Sequence, residues 1–379
     1  MTKSYHIGID ARLFGTKQAA GIGVVVEELV GNLIKIDQHN RYTVMVTPEV
    51  SDFFPFYAEN LKKKVVKFHH YTYSEQFLYP QTLSKLGLDL IHYTNFNSPV
   101  FFRGVKSIVS VYDLTLWFYP GRKQRSLFRK WMYRQVIQRS CLNAERVIAI
   151  SESTKNDIVK YLGVDPGKID VVYAAPPRRF TTEPDLKKAD MIKAKYNITR
   201  PFFLYVGQWR AHKNLARLIR AFALFRRRYN LDYQLVIVGK ADPLAPEVPA
   251  TIKQLGLQDV VLTPGYIADN DLPHFYNEAE AFVFPSLYEG FGIPPLEAMA
   301  AGTPVISSNA SVMPEVLGDA AQYFDPTNIE DMAYAMSKVA SNFTLKQQLR
   351  ERGFSQVKKY SFAKMARETL RVYERVLAG

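Results

Sequence analysis

The amino-acid sequence predicts an α/β protein built from two doubly wound parallel-sheet domains. Short apolar runs alternate with helix-like segments along almost the whole chain, which is the α/β pattern. Several of these runs are continuously apolar, as expected for strands of parallel sheets that are covered on both faces. The chain of 379 residues is too long for one ordinary core and suits two domains of about 150 to 200 residues each.

The first domain is predicted over residues 1–185. Its strands follow from the runs YHIGID, YTVMVT, DLIHYT, SIVSVYDL and RVIAISES, and the segment GIGVVVEELVGNLIKID predicts a helix after the first strand. A polar, lysine-rich interval with little strand character comes next. We therefore expect the interdomain linker at residues 186–200.

The second domain is predicted over residues 201–360. Its strands follow from FFLYVG, QLVIVG, VVLTPG, AFVFPS and PVISS, and NLARLIRAFALFRRR predicts a helix after the first of them. The segment SFAKMARETLRVYERVL has apolar residues at helical spacing, and we expect this terminal helix, residues 361–379, to cross back to the first domain. Ligands of doubly wound sheets bind outside the carboxyl ends of the strands, so the residues after these runs are candidates for chemistry.

Composition narrows the classes of protein. No stretch has the roughly 18 uninterrupted apolar residues of a membrane span, and neither an export leader nor a disulfide framework is visible. We expect a cytoplasmic protein in which the single cysteine, Cys141, packs in the core. The net charge of +13 belongs to the first half, since residues 1–200 hold 30 Lys and Arg against 18 Asp and Glu. This surplus indicates an anionic partner, namely phospholipid headgroups, a lipid diphosphate or nucleic acid, but no nucleic-acid-binding motif accompanies it.

The stretch YEGFGIPPLEAMAAGTPVI contains the densest candidate chemistry. It follows the strand AFVFP, and its two prolines predict the first turn of a helix whose N-terminus offers a diphosphate the backbone N–H groups of residues 290–296. Glu297 is expected in that first turn, where its carboxylate could accept hydrogen bonds from both hydroxyls of a ribose. Glu289 precedes the turn and is placed to meet a sugar on the far phosphate. Either glutamate alone could be a helix-dipole residue or a solvated loop charge, but the combination favours a nucleotide-sugar site.

These residues resemble the E-x7-E motif of the retaining GT-B glycosyltransferases of family 4. The resemblance runs over nearly the whole chain, through IGIDARLF, ISESTKNDIVKYLGV, FLYVGQWRAHKNLARLIRAF, LVIVGK, PGYI and MPEVLGDAAQYFDP, and it is to the mannosyltransferase-like branch that builds bacterial surface polysaccharides. It implies two Rossmann-like domains facing a central cleft, and a hexosyltransferase that uses a nucleotide sugar.

The resemblance also implies roles for single residues. Glu289 would contact the donor hexose near the reaction centre, Glu297 the ribose, and Lys213 would neutralise the leaving diphosphate. The alternative for Lys213 is an exposed lysine at a helix start. Arg210 and His212 are the neighbouring basic residues that could assist it. Backbone contacts to the donor are implied for Gly290, Phe291, Gly292, Ile293 and Gly207.

The resemblance implies further site positions that also have a purely structural alternative. Gly21 and Gly23 would let diphosphate and acceptor approach the backbone, or they form a simple strand-to-helix turn. Tyr266 and Ile267 fall where relatives build the base pocket, although a core role for Ile267 is equally expected.

The sequence departs from the family pattern in the loop after SIVSV. Relatives commonly carry a His before the Asp, and here the pair is Tyr112 and Asp113. A phenol can donate a hydrogen bond to the donor sugar, but it cannot act as an imidazolium at neutral pH.

No metal or cofactor is expected. Residues 269–271 have D-x-D spacing, but they precede a helical pattern with a proline near its start, so helix capping is the better interpretation. The histidines show no helical metal-binding arrangement.

A basic segment, residues 121–140, contains seven Lys and Arg and no acid. With aromatic residues in or beside it, the segment suits a helix at an anionic membrane surface, and Lys62, Lys63, Lys64 and Lys67 could extend the same face. The alternative is a solvated basic helix whose rings pack inward.

We therefore expect a retaining hexosyltransferase, with GDP-mannose as the preferred donor and a lipid-linked or polysaccharide acceptor, at the cytoplasmic face of the membrane. A UDP-sugar-dependent transferase and a nucleotide-sugar epimerase remain alternatives on the same fold. A basic nucleic-acid-binding protein is the alternative from another class.

Overall fold

The computed structural model describes residues 3–15, 20–121, 126–181, 186–243 and 245–379. The chain divides into two compact units. The first unit comprises Met1–Ala175 and Ser361–Gly379, and the second comprises Pro176–Tyr360.

The first unit is organised around a seven-stranded parallel sheet with the strand order β3-β2-β1-β4-β5-β6-β7. Ile7 pairs with Tyr42 of one neighbouring strand and with Leu90 of the other, which fixes the register at the centre. The strands are β1 (His6–Asp10), β2 (Arg41–Val46), β3 (Leu61–Val65), β4 (Leu90–Tyr93), β5 (Lys106–Val111), β6 (Arg146–Ala149) and β7 (Ile169–Val171).

Helices connect these strands, and the last helix of the chain belongs to this unit. The helices are α1 (Ala20–Ile36), α2 (Pro48–Ser51), α3 (Tyr73–Phe77), α4 (Tyr79–Ser84), α5 (Thr115–Phe118), α6 (Leu127–Asn143), α7 (Glu152–Asp157), which continues as a π-helical turn (Ile158–Leu162), and α16 (Phe362–Ala378). Helix α16 packs beside α1. Its Tyr373 hydroxyl lies 2.7 Å from His92 Nδ1 of β4, inside the unit.

The second unit has a six-stranded parallel sheet in the order β10-β9-β8-β11-β12-β13. Its strands are β8 (Phe202–Val206), β9 (Gln234–Val238), β10 (Val261–Gly265), β11 (Ala281–Phe284), β12 (Val305–Ser308) and β13 (Ala321–Phe324). Its helices are α8 (Leu186–Lys195), α9 (Leu215–Tyr229), α10 (Glu247–Gln254), α11 (Leu272–Glu278), α12 (Ile293–Ala300), α13 (Met313–Leu317), α14 (Ile329–Ser341) and α15 (Phe343–Val357).

The predicted α/β class with two parallel, doubly wound sheets is confirmed. The continuous apolar runs are the central strands, and β9 is buried along its whole length because helices cover both faces of the sheet. Across the described residues, no helix combines the length and apolar character needed to cross a membrane.

The interval predicted as an interdomain linker has a different structure. The two units divide between Ala175 and Pro176, whereas the sequence analysis placed the end of the first domain at residue 185. Residues 186–195 form α8, which belongs to the second unit. Ala189 and Ile192 share a helical face and are buried, so the few apolar residues of this lysine-rich segment are enough to attach it to the unit.

Candidate active site

Lys213 lies in the loop that follows β8. A short 3-10 turn, Ala211–Lys213, precedes Asn214, whose left-handed backbone (φ 60°) starts α9. The buried Asn214 amide donates to the carbonyl of Pro285 at 3.1 Å and to that of Pro326 at 2.7 Å. This amide therefore fixes the Lys213 loop against the end of the neighbouring strand, β11.

This fixation brings Lys213 to Glu289, as the shared carboxyl edge of parallel strands allows. The Lys213 ammonium lies 2.5 Å from Glu289 Oε1, and the side chains retain 15% and 14% of their exposure. The ammonium also stands 5.5 Å from the ring centre of Phe284. The Ser311 hydroxyl donates to the Glu289 carbonyl at 2.9 Å and holds the backbone of that residue. Ser311 was not predicted, because it lies in no motif of its own.

The turn after Glu289 depends on a glycine. Gly292 has φ 91°, a backbone conformation that residues with a side chain rarely adopt, and a Cβ at this position would also crowd Met313 Cε at 2.5 Å. Helix α12 then begins at Ile293, and the two prolines occupy its first turn, as predicted. Prolines have no N–H, which limits the donors within residues 290–296 to Gly290, Phe291, Gly292, Ile293 and Leu296.

The expectation that Glu297 lies in the first turn was wrong. Because α12 starts at Ile293, Glu297 falls in the second turn and is buried, with 7% of the residue exposed. The Tyr276 hydroxyl donates to Glu297 Oε2 at 2.9 Å. Burial raises the pKa of Glu297 to about 7, and the Tyr276 hydrogen bond and the charge of Arg179 only partly offset this effect. Tyr276 and Arg179 were not predicted, since neither lies in the motif.

The other basic residues beside Lys213 differ from one another. His212 is buried, and burial, followed by the charges of Lys213 and Arg210, lowers its pKa to about 3. His212 is therefore neutral near pH 7, whereas Arg210 is an exposed cation. Gly207 donates its N–H to the carbonyl of Val238 at 3.0 Å, so this N–H holds β8 to β9.

The positions predicted for the base pocket divide between surface and core. Tyr266 is 74% exposed, and Ile267 is 3% exposed, in agreement with the core alternative. Asp271 stands at the N-cap position of α11, but within the described residues its carboxylate makes no capping hydrogen bond and instead pairs with Lys188 at 2.9 Å. Asp271 therefore begins α11 as predicted, but its carboxylate is paired with a lysine of α8 and does not cap the helix N–H groups. Across the described parts of the chain, no three His, Cys, Asp or Glu side chains gather as metal ligands.

The site residues predicted in the first unit lie near the ends of strands, but their surroundings differ. Gly21 and Gly23 are in the first turn of α1, and a Cβ on Gly23 would lie 3.1 Å from the Leu13 carbonyl. Tyr112 lines a cavity of about 10 Å³ together with Met365 and Thr369 of α16, and burial raises its pKa above the ordinary range. Asp113 accepts the backbone N–H of Thr115 at 2.7 Å.

A buried ion network at the end of β1 was also missed. Arg12 donates to Asp10 Oδ2 at 2.6 Å and to Glu75 Oε1 at 2.8 Å, and all three side chains are almost completely buried. Asn97 donates to the other oxygen of Glu75, and the Arg12 guanidinium lies 4.4 Å from the ring centre of Tyr79. The signal in the sequence was the charged pair D-x-R directly after the buried strand IGID.

The basic segment is only partly described, since residues 122–125 lie outside the described residues. The remainder forms α6, in which Tyr133 packs inward and Phe128 and Trp131 are exposed. Strand β3, which carries Lys62, Lys63 and Lys64, is four strands away from β5, the strand that α6 contacts. These three lysines therefore do not extend the face of α6.

Cys141 is fully buried, and burial raises the pKa of its thiol to about 12, as expected of a packing role.

Two comparisons with protein families define the class of protein. Residues 19–175 match the family model described as Glycosyltransferase Family 4, and residues 188–356 match the model described as Glycosyl transferases group 1. Together the matches cover most of the chain, and each unit is therefore similar to a family of glycosyltransferases.

Individual proteins are also similar to this chain in sequence or in structure. The serotype-specific mannosyltransferase WbdA of Escherichia coli is 29% identical over 62% of this chain, which spans 29% of that protein. The O-antigen chain mannosyltransferase RfbU of Salmonella typhimurium is 32% identical over 61% of this chain and 60% of its own. The crystal structure of Anabaena HepE in complex with UDP and glucose covers 98% of this chain and 100% of its own with a TM-score of 0.75, at 14% identity, and supports the GT-B fold.

Proposed function

We propose that this chain is a retaining glycosyltransferase that moves a hexose from a nucleotide sugar to a lipid-linked or polysaccharide acceptor in cell-surface glycan synthesis. GDP-mannose is the preferred donor, and the names of the similar WbdA and RfbU proteins support mannose and a surface glycan. The observation that carries the proposal is the contact of Lys213 with Glu289 directly before the N-terminus of α12.

The geometry of the second unit supports a division of tasks along the donor. Glu297 binds the ribose hydroxyls, and the N–H groups of residues 290–293 bind the diphosphate at the positive end of α12. Lys213 offsets the charge that grows on the diphosphate, with Arg210 as the further cation of its loop. Glu289, on the other side of the phosphates, contacts the hexose. Gly207 and Tyr266 border the nucleotide, and Ile267 supports this border from the core.

Among the residues that the structure describes, we assign no side chain as a covalent nucleophile, and we therefore assign retention to attack from the side of the leaving group. The acceptor hydroxyl oxygen bonds to the anomeric carbon while the bond from that carbon to the diphosphate oxygen breaks. The electron pair of the broken bond stays on the diphosphate oxygen, which also receives the proton of the acceptor hydroxyl. Lys213 stabilises that oxygen as negative charge develops on it.

In the first unit, Asp113 is the residue after β5 that we assign to substrate. Tyr112 lines a small cavity beside α16, and this place supports a packing role for it. Gly23 keeps the first turn of α1 free of side-chain atoms, and the Leu13 carbonyl beside it accounts for part of that requirement.

Substitution of Glu289 tests the proposal. We expect Glu289→Ala to abolish sugar transfer while free nucleotide still binds, because the contact to the hexose is lost and the ribose and phosphate contacts remain. Glu278→Gln is a matched control, since Glu278 pairs with Lys193 at 2.8 Å away from this site, and it should leave turnover unchanged. Unchanged turnover in Glu289→Ala would remove Glu289 from the mechanism.

The donor is tested by thermal shift with GDP-, UDP- and dTDP-sugars. The largest stabilisation is expected from GDP-mannose. A UDP-sugar donor is the second candidate, because a protein of similar structure was solved with UDP and glucose. An epimerase would instead consume its nucleotide sugar without any acceptor.

We also propose that transfer needs neither metal nor cofactor. Activity should persist in EDTA, because Lys213 and the N-terminus of α12 supply the positive charge that a divalent ion supplies elsewhere. Loss of turnover in EDTA, restored by magnesium or manganese, would contradict this part of the proposal.

A further inference from the structure

The first unit exposes an unusual concentration of large apolar side chains on neighbouring elements. Gln76 of α3 donates to the Ser98 carbonyl at 3.1 Å and accepts the Val100 N–H at 3.0 Å, which ties α3 to the segment 98–101. The Asn143 amide at the C-terminal end of α6 donates to the Val100 carbonyl at 3.0 Å, and the Phe96 ring lies 5.5 Å from the Tyr133 ring in the first half of α6, so this part of the chain contacts the helix at both places. The exposed set, called the aromatic patch below, is Tyr73, Phe77, Leu78, Phe101, Leu127, Phe128, Trp131 and Met132.

The exposed apolar residues of α6 all lie on one face of the helix. Tyr133, Ile137, Ser140 and Cys141 form the buried stripe at helical spacing. The four exposed apolar residues, spaced i, i+1, i+4 and i+5 from residue 127, lie on the opposite face of the helix. The apolar residues at the start of α6 therefore face away from the core.

Two of the exposed rings are in contact with each other. Phe128 is 63% exposed and Trp131 is 54% exposed, and their rings stack with a centroid distance of 6.1 Å. A tryptophan and a phenylalanine that are half exposed and adjacent resemble the interfacial anchors of membrane-bound helices.

Positive charge surrounds the rings. Arg129 and Lys130 alternate with them along α6, and Arg134 lies one turn further on, 4.5 Å from the ring centre of Trp117. The sequence between Asp113 and Glu145 contains no acidic residue. A protein partner with an apolar surface would not require this uniform sign, whereas anionic lipid headgroups above an apolar layer match both the charge and the rings.

We propose that the aromatic patch docks the first unit on an anionic lipid surface, with the α6 rings at headgroup level and the basic side chains on lipid phosphates. The inference depends on the surface of the first unit alone and not on the identity of the donor. Nucleotide binding by the second unit can therefore fail or succeed separately from it.

Co-sedimentation of the full chain with vesicles tests the proposal. We expect binding to mixed phosphatidylcholine and phosphatidylglycerol vesicles, weak binding to phosphatidylcholine alone, and a decline with added salt. Phe128→Ser combined with Trp131→Ser should lower the partition coefficient at least about tenfold, because two exposed rings no longer enter the interface.

The matched control is Tyr334→Ser combined with Phe343→Ser. These aromatic residues of the second unit are comparably exposed, at 53% and 71%, and their loss should leave vesicle binding unchanged. Arg129→Gln combined with Lys130→Gln should weaken binding to anionic vesicles and flatten its salt dependence.

Three outcomes would overturn the proposal. They are equal binding of the parent protein to neutral and anionic vesicles, no binding to either, and parental binding by the Phe128 and Trp131 double variant. Light scattering tests the alternative that a second copy of the chain covers the patch. If the parent protein did not bind vesicles and formed a dimer that dissociates in this double variant, the patch would be assigned to that second copy. An unchanged unfolding temperature in the variants shows that only the surface was altered.

Discussion

The two sheets place charged residues at the same edge but in different environments. At the end of β1, the side chains of Arg12, Asp10 and Glu75 are exposed by no more than 2%. At the corresponding edge of the second sheet, Lys213 and Glu289 keep 15% and 14% of their exposure. The first cluster is closed to solutes, and the second can be reached by them.

This difference separates a structural role from a chemical one. A buried ion network is retained when hydrogen bonds satisfy every charge, as Asn97, His70 and the Tyr71 N–H do for Glu75. An accessible ion pair contributes little to stability but can exchange a partner for a ligand. The fold alone does not make a site, because both edges belong to doubly wound sheets.

Removal of the arginine from the buried cluster should have the largest effect on stability. Arg12→Met leaves two buried carboxylates without their cation, and we expect a loss of about 3 to 5 kcal/mol in the free energy of unfolding. Urea denaturation measures it, with Lys213→Met as the comparison, for which a smaller loss is expected because Lys213 and Glu289 are only partly buried. Equal losses in the two variants would remove the distinction between the clusters.

In an activity assay, Lys213→Met should have a larger effect on turnover than Arg12→Met. Lys213→Met is expected to lower kcat about a hundredfold to a thousandfold, because one preorganised charge at the leaving group is lost. The measurement is consumption of the donor identified by the thermal-shift panel, under conditions in which the variant is folded. If Lys213→Met retained parental turnover, the accessible pair would be a surface salt bridge only.

Sequence reasoning predicted the fold well because its signals are local. Continuous apolar strands such as FFLYVG, and the proline pair before Glu297, indicate structure within a few residues. The contacts that complete the sites are distant in sequence: Tyr276 reaches Glu297, Ser311 holds Glu289, and Arg12 meets Glu75 across 63 residues. A single sequence does not indicate such distant partners, and even the D-x-R pair of Asp10 and Arg12 does not point to Glu75. The predicted position of Glu297 was wrong by one helical turn for a local reason. The start of α12 depends on where the left-handed Gly292 ends the preceding loop.

The environment of Glu297 predicts a cost in stability that depends on pH. Its folded pKa of about 7 exceeds the ordinary value of 4.5, so the carboxyl is protonated in both states below pH 4.5 and no cost arises. Between pH 4.5 and about 7 the unfolded chain ionises first, and stability is lost as pH rises through the folded pKa. At pH 8 the full penalty is up to about 3 kcal/mol.

Glu297→Gln should recover most of that penalty, since its amide oxygen can still accept from the Tyr276 hydroxyl. We expect the variant to unfold at a higher temperature than the parent at pH 8 and at nearly the same temperature at pH 5. Nucleotide affinity should fall in the variant, because a carboxylate no longer accepts the ribose hydroxyls. A stability difference that is independent of pH would show that Glu297 is ionised throughout this range.

The smallest expected effect concerns the attachment of α16 to the first unit. Tyr373→Phe removes the hydroxyl that lies 2.7 Å from His92 Nδ1 and leaves that buried nitrogen without its partner, while His92 Nε2 keeps Ser110. We expect a loss of about 1 to 2 kcal/mol in the free energy of unfolding. Tyr5→Phe is the control for the same helix, because the Tyr5 hydroxyl before β1 donates to the Leu377 carbonyl of α16 at 3.4 Å in a partly buried place, and its loss should cost less than about 0.5 kcal/mol. Equal losses would mean that burial of the ring, and not the hydrogen bond to His92, attaches the last helix.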